Sequence, residues 1–254
     1  MKILLSPAKS MIEEAKIIGI SSMPHFLDDA QKLVNQLKIL SVKELQKLMS
    51  ISIELAQLNE LRYKKWVKSN STEKENLIQA IRAFNGEVFR GFDISSLEEN
   101  NYNKIQNSIR ILSGLYGVLR PFDLISPYRL EMGTKIRVNP NYKNLYEFWR
   151  VRLTENLCSE LKKNEPVINL ASSEYAKVID FKKIKSPVIN PIFKEFKNGK
   201  YSIVMMYAKH ARGRMARYLI DNSLVDVVEL KSYALDGYSF NDQLSTENDW
   251  VFVR

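Results

Sequence analysis

Four short segments combine basic side chains with residues that shape the backbone, as a phosphate-binding site would require. The first reads SPAK and carries Ser6 and Lys9 directly after an apolar run, residues 3–5, that predicts a short buried strand. A serine hydroxyl, backbone N–H groups and a lysine ammonium at a strand end can together hold a phosphate group. A polar turn without a ligand is the alternative, because the segment lacks the glycines of a P-loop.

The second segment, LSGLYGVLRPFDLISPYRLEMG, holds two arginines in proline-restricted backbone, Arg120 and Arg129, with Tyr128 beside the latter. Restricted backbone positions a guanidinium group, and the planar fork of arginine suits phosphate. Glu131 is a possible acid/base group in the same segment. Structural ion pairs of Arg120 with Asp123 and of Arg129 with Glu131 are the alternative.

The third segment, KHARGRMAR, lies at the predicted start of a helix over about residues 211–222. Its candidate phosphate contacts are Lys209, His210, Arg212, Arg214 and Arg217. Arginines in the first turns of a helix oppose its dipole unless an anion neutralises them, and Gly213 would let a ligand approach the backbone. An internal pair of Arg217 with Asp221, at i,i+4 spacing, is the alternative.

The fourth segment, FNGEVFRG, is interpreted as a strand-like stretch between two glycine turns. Arg90 within it is a further candidate contact.

The net charge of +9 is concentrated in two blocks. Residues 104–152 carry 9 basic and 3 acidic side chains, and residues 182–218 carry 10 and 1. Clustered positive charge attracts a polyanion, whereas lysines scattered over a solvated surface would not. Both interpretations remain open for the lysines.

Several chemistries find little support in the sequence. The two histidines, His25 and His210, have no second histidine or cysteine at metal-ligand spacing, so we expect no dedicated metal site and no cofactor. Cys158 is the single cysteine, which excludes an intrachain disulfide and favours a reducing cytoplasm. Because Cys158 lies within a predicted amphipathic helix, we expect it to belong to the core. Charges interrupt every apolar run, so we expect no membrane span. No persuasive catalytic set is visible, and an enzyme is the less favoured class.

The element pattern predicts one mixed α/β domain over residues 1–254, with a mixed sheet and a mostly helical N-terminal part. Helices are expected over about residues 24–40, 42–49, 53–66, 72–84 and 145–161, with capping boxes at Ser41 with Glu44 and at Thr72 with Glu75. The dipeptide Asn198-Gly199 predicts a type I′ hairpin turn.

The four segments, together with YEFW at residues 146–149 and VINLASSEY at residues 167–175, resemble the YaaA family of bacterial peroxide-stress proteins. The matches run in one order along nearly the whole chain. The resemblance implies a cytoplasmic protein that protects cells from hydrogen peroxide and is associated with limiting free iron. It also implies a basic cleft that binds double-stranded DNA.

The resemblance further implies a helix-hairpin-helix-like element, for which residues 42–49 and 53–66 are the candidates. This hairpin lacks the expected glycine, and His210 replaces one of two consecutive basic residues. An enzyme acting on a nucleotide or another phosphorylated small molecule in the same cleft is the alternative function.

Overall fold

The computed structural model describes residues 1–68, 77–222, 224 and 226–254. Within them the chain adopts the mixed α/β fold that the sequence predicts, built on a mixed sheet of eight strands. One apolar core contains buried residues from Ile3 to Phe252. The capping box predicted at Thr72 and Glu75 lies outside the described residues. Where the helix predicted over residues 72–84 would continue, the structure shows a strand at Ile78–Gln79 and a helix only at Ala80–Ala83.

The strands of the described residues follow one another along the whole chain. They are β1 (Lys2–Leu5), β2 (Ile78–Gln79), β3 (Ile109–Ser113), β4 (Gly117–Leu119), β5 (Leu124–Ile125), β6 (Val167–Asn169), β7 (Val188–Lys197), β8 (Lys200–Ser202), β9 (Ser239–Phe240) and β10 (Asp249–Val253). The order across the large sheet is β4-β3-β1-β6-β7-β10-β9, and β8 pairs with β7, while β2 and β5 form a separate pair.

Strand β1 lies inside the sheet and pairs in parallel with β3 on one side and with β6 on the other. All four of its residues are buried, which explains the uninterrupted apolar run Ile3–Leu4–Leu5. The chain visits β3 first and β6 later, so the strand order reverses at β1. Such a reversal opens a crevice at the carboxyl ends of the strands, where α/β proteins bind ligands.

The described residues form nine α-helices, one of which begins with a predicted capping box. The helices are α1 (Leu27–Lys38), α2 (Val42–Met49), α3 (Ile53–Lys65), α4 (Ala80–Ala83), α5 (Glu87–Phe92), α6 (Tyr102–Ser108), α7 (Leu145–Glu160), α8 (Ser173–Ala176) and α9 (Met205–Asn222). The capping box of Ser41 and Glu44 is present at the start of α2. Among the helices described, none has the length and apolar content that crossing a bilayer would need.

Two of the functional segments differ from their predicted local structure. Residues 87–91 of FNGEVFRG belong to helix α5 and not to a strand, and Gly91 lies inside that helix where it packs on α9. Helix α9 begins at Met205, six residues before the predicted start. KHARGRMAR is therefore mid-helix, and the argument that its arginines oppose the dipole of a first turn does not apply.

Two glycines allow α5 and α9 to cross with their backbones in contact. A Cβ atom on Gly213 would lie 1.9 Å from the carbonyl oxygen of Val88, and one on Gly91 would lie 2.3 Å from that of His210. Gly213 thus serves helix packing, and the prediction that it admits a ligand is wrong. The crossing fixes α9 against the loop that precedes α5.

The predicted hairpin turn is confirmed, since Asn198 and Gly199 both have positive φ, 53° and 76°. Cys158 differs from its prediction. It is exposed on α7 and does not belong to the core.

Replacing Gly213 by alanine is expected to lower the free energy of unfolding by about 2 kcal/mol, because the added methyl group separates two packed helices. Intrinsic helix propensity alone would give the opposite sign. Urea denaturation measures the difference. Gly133→Ala is the control, because its Cβ would meet only the end of the Glu174 side chain at 3.1 Å. Equal stability of both variants would contradict the role assigned to Gly213.

Candidate functional site

A cavity of about 260 Å³ lies in the crevice at the carboxyl ends of β1 and β6. We call it the inner pocket. The loop after β1, the start of α5, the segment around Arg129, the loop after β6 and one face of α9 form its walls. Its polar lining side chains are Ser6, Lys9, Ser10, Asn85, Glu87, Tyr128, Arg129, Glu131, Ser172, Glu174, Tyr175, Lys209 and Arg212. The structure thus brings together parts of all four segments identified in the sequence.

A pair of serines joins the two strand ends. The Ser6 hydroxyl donates to Ser172 Oγ over 3.1 Å and accepts from the Ser172 backbone N–H over 2.8 Å. Ser6 therefore has a structural role in holding the pocket floor, in addition to its position on the cavity surface.

Glu131 binds two cations at once. Its Oε2 lies 2.8 Å from Lys9 Nζ, and its Oε1 lies 2.9 Å from an Arg129 nitrogen. The ion pair of Arg129 with Glu131, considered as an alternative from sequence, is therefore present. One carboxylate between two cations leaves positive charge uncompensated, and the buried Arg129 Nε has no hydrogen-bond partner among the described residues.

Arg212 is the least compensated cation of the inner pocket. Its side chain is partly buried, and it forms neither a hydrogen bond nor an ion pair with any residue that the structure describes. Burial lowers the pKa of the Arg212 guanidinium below its usual value. Lys209, three residues earlier on α9, is exposed and likewise unpaired within the described part of the chain. An anionic group would compensate both.

Two tyrosines form the apolar side of the pocket. Burial raises the pKa of the Tyr128 and Tyr175 hydroxyls, and their proximity to each other and to Glu174 adds to the effect at Tyr175. Both are therefore neutral at physiological pH. The Tyr128 hydroxyl is 2.6 Å from Ser113 Oγ, so it is engaged inside the protein.

A larger, open groove of about 1010 Å³ adjoins the inner pocket and shares Lys9, Arg129, Glu131 and Glu174 with it. We call it the outer groove. Its other wall contains the end of α2 and the turn at Ser50, which joins α2 to α3. These two helices are the predicted hairpin element.

Three cations of the outer groove were missed by sequence reasoning: Lys47, Lys135 and Arg137. Each is exposed, and none forms an ion pair with the described residues. The alternation of apolar and polar residues in TKIRV was the available signal. It places Ile136 and Val138 in the core and turns Lys135 and Arg137 outward. Glu174 and Tyr175 lay within the quoted VINLASSEY segment but had no assigned role.

Two arginines predicted as phosphate contacts lie outside both cavities. Arg120 is 3.1 Å from the buried Asp123 and donates to the Met23 carbonyl, so its structural alternative is confirmed. Arg90 is exposed and pairs with Glu87 over 2.6 Å.

Three predicted contacts on α9 also lie outside the inner pocket and the outer groove. His210 Nδ1 is 3.6 Å from Glu87, and Arg214 is 3.3 Å from Asp236. Arg217 pairs with Asp221 over 2.8 Å and donates to the carbonyl oxygens of Phe92 and Asp93. Arg217 therefore ties α9 to the end of α5, and it lines neither of the two cavities that Arg129 lines.

No cluster of three or more histidine, cysteine, aspartate or glutamate side chains that could hold a metal ion occurs among the described residues.

Replacing Arg212 by methionine is expected to raise the free energy of unfolding of the ligand-free protein by about 1 kcal/mol. The reason is that the substitution replaces a partly buried charge without an internal partner by an apolar side chain of similar length. Urea denaturation at neutral pH measures the change.

Arg217→Met is the matched control on the same helix. It is expected to lower the free energy of unfolding by about 2 kcal/mol, because it removes hydrogen bonds that the Phe92 and Asp93 carbonyls accept. If both variants were destabilised alike, the Arg212 guanidinium would have a structural role and the site would lose its main feature.

Known proteins are similar to this chain over its full length. A family model described as peroxide stress protein YaaA matches residues 1–244. A UPF0246 protein of Flavobacterium psychrophilum is 46% identical over 255 residues, covering 100% of both chains. A UPF0246 protein of Paraburkholderia phytofirmans is 43% identical over 259 residues, covering 100% of this chain and 98% of that relative. This chain belongs to the peroxide stress protein YaaA family.

Proposed function

We propose that this protein acts in the cytoplasm and binds double-stranded DNA, with the outer groove receiving the sugar-phosphate backbone and the inner pocket one phosphate group. Membership of a family described as peroxide stress protein supports a role in the response to oxidative stress. DNA is proposed as the ligand because of the distribution of uncompensated positive charge on the protein.

The observation that carries the proposal is the unpaired, partly buried Arg212. A partly buried guanidinium without an internal partner adds little to the stability of the protein, which supports a role in binding a ligand. Arginine presents two parallel donors that match a phosphate group. With Lys209 on the same helix and Arg129 opposite, the inner pocket offers cationic groups from two separate walls.

The outer groove extends this positive surface along the protein. Lys47, Lys135 and Arg137 present unpaired cations there, beside the hairpin of α2 and α3. Contacts from exposed lysines and arginines to phosphates give affinity without reading base sequence. We therefore expect the protein to recognise the shape and the backbone charge of DNA and not its base sequence.

The limitation of free iron that the family resemblance implies would be an indirect effect of this protein. We expect the protein to act through DNA and not by holding iron itself, because its two histidines have no second histidine or cysteine at metal-ligand spacing in the sequence. Equilibrium dialysis with ferrous iron tests this part directly, and stoichiometric retention of iron would contradict it.

The salt dependence of DNA binding provides the main test. The logarithm of the association constant should fall linearly with the logarithm of salt concentration, with a slope of about −0.9 per phosphate contacted. Arg212→Gln should reduce the magnitude of that slope by about 0.9 and weaken binding about tenfold. Fluorescence anisotropy with a labelled short duplex measures both.

Arg90→Gln is the matched control, because Arg90 is exposed and lies outside the inner pocket and the outer groove. The salt slope of DNA binding by this variant should equal that of the unaltered protein. An Arg212→Gln variant that binds DNA with unchanged slope and affinity would refute the proposed role of the pocket.

An enzyme that acts on a nucleotide or another phosphorylated small molecule is the second candidate. It is favoured by the small size of the inner pocket and by Glu131, whose carboxylate lies on the pocket wall between two cations. Such a site could bind one phosphate ester and leave a carboxylate beside it for proton transfer.

Thermal-shift measurements with individual mononucleotides separate the two functions. A saturable rise in melting temperature with one mononucleotide, abolished by Arg212→Gln and absent with duplex DNA, would favour the enzyme. Stabilisation by duplex DNA alone would favour the DNA-binding function.

A further inference from the structure

Glu174 keeps an uncompensated carboxylate in a pocket that is rich in cations. It lines the inner pocket together with two other carboxylates, Glu87 and Glu131. Glu87 and Glu131 are each compensated by a cation of the protein. Glu174 forms no ion pair with any residue that the structure describes. Its negative charge is therefore available to a ligand.

Uncharged groups hold Glu174 in place. The Gly133 backbone N–H donates to Glu174 Oε1 over 3.0 Å, and the Tyr146 hydroxyl donates to the Glu174 carbonyl oxygen over 3.0 Å. Two residues earlier, the Ser172 backbone N–H donates to Ser6 Oγ over 2.8 Å. Neutral donors position a carboxylate without cancelling its charge, whereas a lysine or an arginine would compensate it. The carboxylate of Glu174 is thus placed before any ligand binds.

The inner pocket keeps opposite charges apart. Arg212 and Lys209 line the same cavity as Glu174, and neither of them is paired with it or with another described residue. Opposite charges that meet in a partly buried site attract each other strongly, so the fold prevents a contact that the charges would favour. A cavity with a separated acid and cations is complementary to a molecule that carries an anionic group and, at a distance from it, a hydrogen-bond donor.

We propose that the inner pocket selects phosphate monoesters that also carry an amino group, with Arg212 and Lys209 binding the phosphate and Glu174 accepting a hydrogen bond from the amino group. The inference rests on the small-molecule function proposed for this pocket and names the molecules that the pocket would select. An ionised carboxylate only accepts hydrogen bonds, so Glu174 favours an N–H donor and disfavours an oxygen or a hydrogen atom at the same position. Glu174 is therefore the specificity-determining residue.

The amino group could belong to a nucleobase or to an amino sugar, because both offer N–H donors in a molecule with one phosphate. The remaining lining of the pocket favours the nucleobase. It includes Val88, Leu130 and Leu170 together with the rings of Tyr128 and Tyr175. Apolar and aromatic side chains pack better on a flat ring than on a hydroxylated sugar.

Isothermal titration calorimetry on the unaltered protein tests the selection. The nucleotides are GMP and AMP, with IMP as the partner that lacks both amino groups; the sugars are glucosamine-6-phosphate and glucose-6-phosphate. GMP or AMP should bind about tenfold more tightly than IMP, the value for one charge-assisted hydrogen bond. A preference for glucosamine-6-phosphate with equal binding of the three nucleotides would keep the selection and assign the amino group to a sugar. Equal affinity within both sets would overturn the proposal.

Glu174→Gln gives the second readout. The amide oxygen can still accept from the Gly133 N–H, so we expect the melting temperature to stay the same. The preference for the amino group should fall to about twofold, because the charge that strengthens the hydrogen bond is lost. Inorganic phosphate should bind this variant no more weakly than the unaltered protein, since Glu174 is assigned no contact with the phosphate.

Glu155→Gln is the matched control, because Glu155 is an exposed carboxylate on α7 that lines neither cavity. It should bind every probe as the unaltered protein does. A preference for the amino group that is the same in E174Q and in E155Q would show that Glu174 does not determine it, and would overturn the proposal.

Failure of this inference is distinguishable from failure of the proposed functions. If R212Q lost inorganic phosphate binding while the unaltered protein showed no preference for an amino group, the phosphate site would stand and the inference would fall. If duplex DNA bound and none of the small phosphates did, the inference would fall together with the small-molecule function, and the DNA-binding function would remain.

Discussion

The parallel pairing of β1 with both β3 and β6 is the constraint on which the candidate site depends. Because parallel strands end at the same edge, the pairing places the loop that carries Lys9 beside Ser172 and the short helix α8, which carries Glu174. Ser6 then joins the two loops through its hydrogen bonds to Ser172. The glycine-mediated crossing of α5 and α9 completes the arrangement by presenting Lys209 and Arg212 to the same edge.

Carboxylates determine which cations remain available to a ligand. Asp123, Asp221 and Asp236 each pair with an arginine that the sequence presented as a possible phosphate contact. These pairs stabilise loops and helix ends. The arginines and lysines without such partners, at the inner pocket and along the outer groove, carry the positive charge that a polyanion would meet. The net charge of +9 therefore overstates the positive charge that is available to a ligand. The positions of the unpaired cations matter more than the total charge.

Much of the local structure could be predicted because it depends on nearby residues. The caps of α2, the buried run of β1 and the Asn198-Gly199 turn follow from hydrogen bonds and dihedral preferences within a few residues. The start of α9 could not, since the apolar residues Met205, Met206 and Tyr207 continue the strand pattern before them as well as they begin a helix. The helix that they begin packs on α5, and that contact uses a glycine of each helix.

The sequence by itself determined the family, the mixed α/β class and the segments in which a phosphate site should be sought. It left open, for each arginine, whether an internal carboxylate or a ligand is its partner. The tertiary structure decided that question: Arg217 bonds to the end of α5, whereas Arg212, five residues earlier, faces a cavity with no partner among the described residues. The physical reason is that the strength of a charge pair depends on distance and burial, and residues far apart in the chain set both.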